Sequence, residues 1–476
     1  MSGRPESPAR EVRVVMYVFN DVTLDSRVLR EAGTLASNGY SVTVMATTID
    51  RRASRVERES RDGFEIVRVP PPQGWRRTWQ WVTNPWSLRR RATGRITSAL
   101  RGGPSAWATI PPAGAEIVVA LVLSTLRRIH LSAASSDGDT GRAVWPPQSA
   151  AWFATWRWSI GGWARRAAAL APPAEIHHGH DLTALGAARA GARRDGSILI
   201  YDSHEIFVDS GLNATRPRWI RWLLRLREWR WTRGAAALVT VNDAYADVLR
   251  RRLRPRRVAV VHNCPPRWSA PRPASDRLRV AADIPADAPI VLYHGAFSRH
   301  RGISELAEAI HEEGLERVHL VYLGYGGLRA TVDELVADPR AAGRIHVVDA
   351  VPPDELLEMV AGADVDVIPL AHSSLNHWLC TPNKLFESLA AGVPVVCSDF
   401  PVMRSIVLDG RWGSLGRVCD PSDAASIGAA IRAILDLAPA DREALRARCS
   451  KASREDWNWE RESTRLIELY RDLAPR

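Results

Sequence analysis

Thr381-Pro382-Asn383-Lys384-Leu385-Phe386-Glu387-Ser388-Leu389-Ala390-Ala391-Gly392-Val393-Pro394-Val395-Val396 reads as a short helix running straight into a buried strand. Thr381 is a natural N-cap, Pro382 suits the first helical position, and Gly392 suits a left-handed C-terminal position. Leu385 and Leu389 lie four residues apart on one face, with Phe386 and Ala390 beside them. The same helix carries one cation, Lys384, and one anion, Glu387. Lys384 and Lys451 are the only two lysines in a chain with 64 Lys and Arg together. A lysine at the open end of a helix, in so arginine-biased a chain, points to a site that wants a compact ammonium.

Outward from this stretch, strand-like runs alternate with helical patterns along most of the chain. In the first half strands are expected at 12–19, 41–46, 64–69, 175–178, 197–201, 237–241 and 258–262. In the second half they are expected at 289–294, 318–323, 345–348, 364–369, 393–397 and 416–419. Many are continuous apolar runs, as parallel strands covered on both faces should be. Alternating strands and helices predict βαβ units and doubly wound sheets. The 476 residues exceed one ordinary core. The proline-rich stretch 264–275 reads as a linker between two Rossmann-like α/β domains facing across a cleft. The expected division is 1–270, then 271–455, with 456–476 as a closing helix that packs back on the first domain.

One region breaks the rhythm. About 73–171 has no clear strand series, yet holds Trp75, Trp79, Trp81, Trp86, Trp107, Trp145, Trp152, Trp156, Trp158 and Trp163, interleaved with arginines. Two readings stand: an elaboration covering the acceptor pocket, or a surface docking on an anionic membrane. Within 132–142, Asp137-Gly138-Asp139 looks like paired metal carboxylates but lies in a loop-like tract. Further on, Trp219, Trp222, Leu223, Leu226 and Trp229 recur at mixed helical spacing between arginines, which predicts a core-facing helix with a basic solvent face.

A net charge of +11 and a pI near 10.0 admit nucleic acid, an anionic membrane or a phosphorylated substrate as partner. No nucleic-acid reading motif accompanies the charge. Five cysteines are odd in number and lack metal-ligand spacing, which fits a reducing compartment. The polar N-terminus is unlike a signal peptide, and the most apolar run, 117–123, is far shorter than the roughly 20 residues of a spanning helix. A cytoplasmic protein is expected, in the docking reading peripheral on the inner face of the membrane.

Several constellations follow strands at the ends where open α/β sheets bind ligands. The start of the Lys384 helix offers unpaired N–H groups to a phosphate, and Glu387 a carboxylate to a ribose diol; the alternative is a capped surface helix with a local ion pair. The loop before it, with Ser374, either cradles oxygens or is an ordinary loop. His294-Gly295-Ala296-Phe297-Ser298-Arg299-His300-Arg301-Gly302 allows close backbone approach at its glycines and offers Arg299 and Arg301 to a diphosphate, or is simply basic. Gly324-Tyr325-Gly326-Gly327 is a short glycine turn. In the first half, His180 ends a strand, His204 and Glu205 end another, and the loop with Asp21 and Asp25 opens the first helix, with Asp25 as its N-cap. No further ligand completes a metal site around His180.

Together these residues resemble the family 4 glycosyltransferases, a retaining group with the GT-B fold. The segment 382–396 is similar to the family's C-terminal signature, and Asn383 falls within it. Asp25-Ser26-Arg27-Val28-Leu29-Arg30-Glu31-Ala32 resembles its opening, and His180-Asp181 and Tyr201-Asp202-Ser203-His204-Glu205 its mid-domain motifs. His262-Asn263-Cys264-Pro265 resembles the end of the first domain. Arg301-Gly302 and the stretch 351–356 fit the second. The resemblance implies a UDP- or GDP-linked sugar donor held by the second domain, with Gly295, Arg299, Gly324, Ser374, Asn383 and Glu387 around it. It implies Arg301 and Lys384 on the leaving diphosphate, Glu387 on the ribose, and His180 facing the transferring sugar. Asp21, Asp25 and His204 would lie on the side of a glycan or lipid-linked acceptor, and no metal cofactor is called for. There is one departure: where the family often has a second glutamate, eight residues before Glu387, this chain has Leu379. A sugar-nucleotide epimerase of the same architecture and a donor-binding subunit without catalysis are the rival readings.

Overall fold

The computed structural model describes residues 12–23, 25–48, 55–72, 93–94, 96–101, 156–269 and 275–474. Most of the tryptophan-rich tract, including Trp79, Trp81, Trp86 and Asp137–Asp139, lies outside the described residues. Two sheets organise the rest. The first contains β1 (Arg13–Tyr17), β2 (Ser41–Ala46), β3 (Glu57–Arg61), β4 (Phe64–Arg68), β5 (Ile176–His180), β6 (Ile198–Ser203), β7 (Ala237–Thr240) and β8 (Val258–Val260). Its order is β3-β4-β2-β1-β5-β6-β7-β8, parallel except for the β3–β4 hairpin. The second contains β9 (Ile290–Ala296), β10 (His319–Tyr325), β11 (Ile345–Asp349), β12 (Val365–Ile368), β13 (Val395–Ser398) and β14 (Gly416–Cys419), in the order β11-β10-β9-β12-β13-β14.

Both sheets reverse direction beside their first strand, between β1 and β5 and between β9 and β12. Those reversals open a crevice at the carboxyl ends of the strands. The candidate loops leave from these ends: 18–25 after β1, His180 on β5, 295–302 after β9 and 369–374 after β12.

The expected strands are all present, within a few residues at their ends. The strand missed was β3, Glu57-Arg58-Glu59-Ser60-Arg61. It is a charged edge strand held by Arg58–Glu65 and Arg68–Glu59 pairs, each at 2.6 Å. Asp62 and Gly63 turn the hairpin with φ of +47° and +82°.

The chain crosses back at its end. The helix Trp459–Leu473 buries Trp459, Leu466, Leu469 and Tyr470 in a first-domain core, packing on the helix Ser26–Ser37 and β8. Its Trp459 Nε1 donates to Thr34 Oγ1 at 2.9 Å, and Tyr470 Oη meets His178 Nδ1 at 2.7 Å. Among the described residues of the tryptophan-rich tract, Trp156 and Trp163 are buried in the first core, and Trp163 Nε1 donates to Ala46 O. No helix among the described residues is long and apolar enough to cross a membrane.

Candidate active site

The helix Asn383–Ala390 buries Leu385, Phe386 and Leu389 in the second-domain core. Each such side chain contributes about 1.5–3 kcal/mol, so the short helix is anchored by its inner face. Gly392 follows at φ +72°, as its left-handed position requires, and a Cβ there would meet Ser450 Oγ at 2.6 Å. Thr381 does not cap the helix. Pro382 occupies the N-cap, with no side-chain cap bond, and Thr381 Oγ1 instead accepts from Asn242 Nδ2 across the domain seam at 3.2 Å. The first N–H groups of the helix are therefore left without a side-chain cap.

Lys384 is only 7% exposed, and its ammonium sits over the Tyr293 ring at 3.8 Å from the centroid. It makes no ion pair among the described residues, so the local ion pair of the alternative reading is absent. Burial, followed by repulsion from Arg301, pushes its pKa down to about 7. Arg301 likewise has no carboxylate partner among the described residues. Gly295, at φ +106°, lies beside Lys384, where a Cβ would approach the Lys384 Cε at 3.6 Å. Lys384, at the start of its helix, thus lies within electrostatic reach of a second cation, Arg301, and neither is ion-paired among the described residues.

Glu387 is held from the other side. His294 Nε2 lies 3.1 Å from Glu387 Oε2 and His294 Nδ1 3.2 Å from Asp366 Oδ1, while Ser388 Oγ donates to Asp366 Oδ2 at 2.6 Å. Burial opposes charging His294, but Asp366 and Glu387 outweigh it and raise its pKa to about 9. A doubly protonated imidazole donates in both directions. Burial would raise the pKa of Glu387, but His294, Arg30 and Lys384 hold it below the ordinary carboxylate value. Arg30 is a first-domain residue, tied down by Asn263 Oδ1 at 2.7 Å and by Cys264 O.

The first-domain half is a buried polar cluster. Arg27 grips Asp202 through Nε and Nη2 at 2.9 and 3.1 Å, and its Nε lies 3.0 Å from Glu31 Oε1. Burial would raise the pKa of Asp202, but Arg27 and His204 hold it well below the ordinary value. Burial raises that of Glu31, keeping it protonated. His204 meets Asp202 at 3.1 Å and Asp181 at 3.6 Å; these outweigh burial and lift its pKa to about 10. His180 does end β5, yet its ring is fully buried, 3.2 Å from His204 and stacked on His178 at 4.5 Å. Burial keeps it neutral, and its Nε2 has no hydrogen-bond partner.

Ligand atoms of Glu31, His178, His180 and Asp202 lie within 4.8 Å of one another. That donor set has a metal-like composition. Arg27 already supplies a cation to this cluster, however, paired with both Asp202 and Glu31.

The seam between the domains is bonded by residues that sequence reasoning passed over. Asn376, 5% exposed, accepts from Ile206 N at 2.8 Å through Oδ1, and its carbonyl accepts from Tyr245 Oη at 2.7 Å. Asn242 caps the helix Asp243–Leu253 and reaches over to Leu379 O at 3.0 Å. The side chain of Leu379 packs against the first-domain core.

The remaining candidates have local structural roles as well. Gly324 is pressed against β9, where a Cβ would fall 2.0 Å from Gly295 O, so the close strand approach itself requires glycine there. Ser374 caps the short helix Leu375–Trp378. Arg299 and Asn383 are exposed. Asp25 caps the helix Ser26–Ser37 as expected, and Asp21 accepts from Thr23 Oγ1 at 2.6 Å.

Residues 275–456 match the family model described as glycosyl transferases group 1. The chain is 32% identical over 157 residues to the lipopolysaccharide core biosynthesis glycosyltransferase LpsE of Rhizobium meliloti, covering 33% of this chain and 42% of that protein. It thus spans less than half the length of this curated relative. Among solved structures, sucrose-phosphate synthase from Thermosynechococcus elongatus superposes over 98% of this chain and 99% of its own, with a TM-score of 0.62 and 16% identity. The E. coli trehalose-6-phosphate protein bound with UDP-2-fluoro glucose covers 98% and 100%, with a TM-score of 0.63 and 11% identity. The two facing doubly wound sheets are the GT-B fold.

Proposed function

We propose that this chain is a retaining glycosyltransferase of the family 4 type, moving a sugar from a nucleoside-diphosphate donor to an acceptor hydroxyl. The observation that carries the reading is the pair Lys384 and Arg301: two interacting cations, neither ion-paired among the described residues, with Lys384 buried at the uncapped start of a helix. Such a site binds a diphosphate. Glu387, ionised and fixed by His294, takes the ribose hydroxyls. A solved structural neighbour carries a UDP sugar, which fits this donor class.

Breaking the bond between the anomeric carbon and the diphosphate oxygen puts negative charge on the diphosphate and positive charge on the sugar. Arg301, Lys384 and the helix N–H groups bind that separated state more tightly than the intact donor. The acceptor oxygen attacks from the face the diphosphate leaves, and its proton goes to the departing phosphate oxygen. Two side-chain cations and a helix start stand where a divalent metal would otherwise neutralise the diphosphate, so no metal is assigned. In this reading Asp21, Asp25 and His204 belong to the acceptor side of the crevice, and His180, which ends β5, to the side of the transferring sugar. Glycans, lipid-linked sugars and small hydroxyl compounds of the cytoplasm are the acceptor classes, in polysaccharide or glycoconjugate synthesis.

Leu379 favours one second reading, a subunit that binds a donor without turning it over, because no carboxylate stands where the family often places its sugar-contacting glutamate. Release of nucleoside diphosphate from UDP-, GDP- and ADP-sugars, with and without Arg301→Ala, separates the two. Turnover lost in the variant supports the transferase. Tight donor binding with no turnover, even with acceptor mixtures, supports the subunit.

A further inference from the structure

The helix Arg218–Thr232 carries an apolar centre on its outward face. Ile220, Leu224, Glu228 and Thr232 recur every four residues and are buried against the first domain. Residues on a helix turn by about 100° each, which puts Leu226 opposite that buried row, with Trp219 and Trp222 on either side of it. These three are exposed, Trp219 by 54%, Trp222 by 60% and Leu226 by 37%. The expected arrangement, tryptophans inward and arginines outward, is therefore reversed for two of the tryptophans.

The charges around this centre all have one sign. Arg218, Arg225 and Arg230 are exposed and flank the apolar strip. Arg225 also reaches Asp209 at 3.3 Å, whereas Arg218 and Arg230 make no ion pair among the described residues. The helix has a single acid, Glu228, which is buried and accepts from Tyr201 Oη at 2.8 Å. Arg189 and Arg193, on the helix Asp181–Asp195, lie close enough to Arg230 to continue the basic field.

We propose that this helix face docks the protein on an anionic lipid surface. Tryptophan places its ring at the boundary between headgroups and acyl chains while its N–H stays hydrated. Arginines beside it meet the lipid phosphates, and a helix with this division lies in the plane of the interface. A second copy of the chain is a poor occupant, because pairing the strip with itself sets Arg218, Arg225 and Arg230 against their own kind. The inference stands on the helix alone and does not depend on the proposed chemistry.

Co-sedimentation of the full chain with phosphatidylcholine vesicles, and with vesicles containing one-third phosphatidylglycerol, tests it. Binding is expected on the anionic vesicles only, falling as salt rises. Trp219→Ser with Trp222→Ser should weaken it about tenfold, and Arg218→Gln with Arg230→Gln by a similar factor. Both variants should keep the wild-type Tm, since neither changes a buried group. Wild-type protein that ignores both vesicles overturns the proposal, as does equal binding to neutral lipid. So do variants that bind like wild type, which would put the docking surface elsewhere. Dimerisation seen by light scattering and lost in the tryptophan variant, without vesicle binding, overturns it in favour of self-association.

Discussion

His294 binds Glu387 and Asp366 at once, with its Nε2 3.1 Å from Glu387 Oε2 and its Nδ1 3.2 Å from Asp366 Oδ1. The imidazole carries both protons and fixes Glu387 as an ionised acceptor on the helix that begins at Asn383. Replacing it with leucine leaves the carboxylate free to turn. A hydrogen bond to a charged group is worth about 1.5–3 kcal/mol, so His294→Leu should weaken nucleoside-diphosphate binding about tenfold or more. The preference for ribose over 2′-deoxyribose should disappear with it, and His294→Gln, which keeps one donor, should recover part of it. Calorimetry with UDP and 2′-deoxy-UDP reads both effects. A ribose preference that survives in the leucine variant would remove His294 from this role.

Lys384 links donor binding to protons. Its folded pKa, about 7, lies below that of a free lysine, near 10.5. Between those values the unfolded chain binds more protons than the folded one, so this group makes the empty protein more stable as pH rises through that window. A diphosphate reverses the shift by favouring the ammonium. Nucleotide binding near pH 8 should therefore take up close to one proton, measured as a heat that changes with the ionisation enthalpy of the buffer. Lys384→Ala should abolish the uptake.

Asp202 and Arg27 form a fully buried pair. Removing one partner strands the other charge, at a cost of about 3–5 kcal/mol. Asp202→Ala should lower unfolding stability by that order in denaturant titration at neutral pH. The folded pKa of Asp202 lies below its unfolded value, so its contribution is complete above the unfolded pKa and is lost as pH falls through the folded one. The variant's deficit should therefore shrink in acid.

Gly302 sits at φ +65°, and a Cβ there would fall 2.3 Å from Pro369 O. Its loop carries Arg301 against the end of β12. Gly302→Ala should cost on the order of 2 kcal/mol from backbone strain alone, more with the clash, and should lower donor affinity by displacing Arg301. Thermal unfolding and nucleotide titration check the two parts.

The strand positions followed from apolar runs because parallel strands covered on both faces advertise themselves in one dimension. β3 escaped because an edge strand of alternating Glu and Arg buries almost nothing, although Asp62-Gly63 marked its hairpin. Lys384 and Arg301 stood out in the sequence because each sits where a loop meets a helix start, and Glu387 because it follows Lys384 on the same short helix. Asn376, Asn242 and Arg30 were not, because their partners lie more than a hundred residues away and only the closed seam brings them together. Thr381 misled for the same reason: its hydroxyl fits a cap locally, yet Asn242 claims it from the other domain. Gly324 looked like a ligand turn, but the neighbour that demands glycine there is Gly295. The outward tryptophans at 219 and 222 follow an ordinary helical spacing, so spacing alone could not tell which face they occupy.

Titration calorimetry of the purified protein against UDP, GDP and ADP, without metal, beside Lys384→Ala, bears most directly on the diphosphate site. Tight binding of one nucleotide by the wild type, lost in the variant, is the expected result. Binding that is unchanged in the variant, or absent for all three nucleotides, would contradict the assignment of Lys384 and its helix to a donor diphosphate.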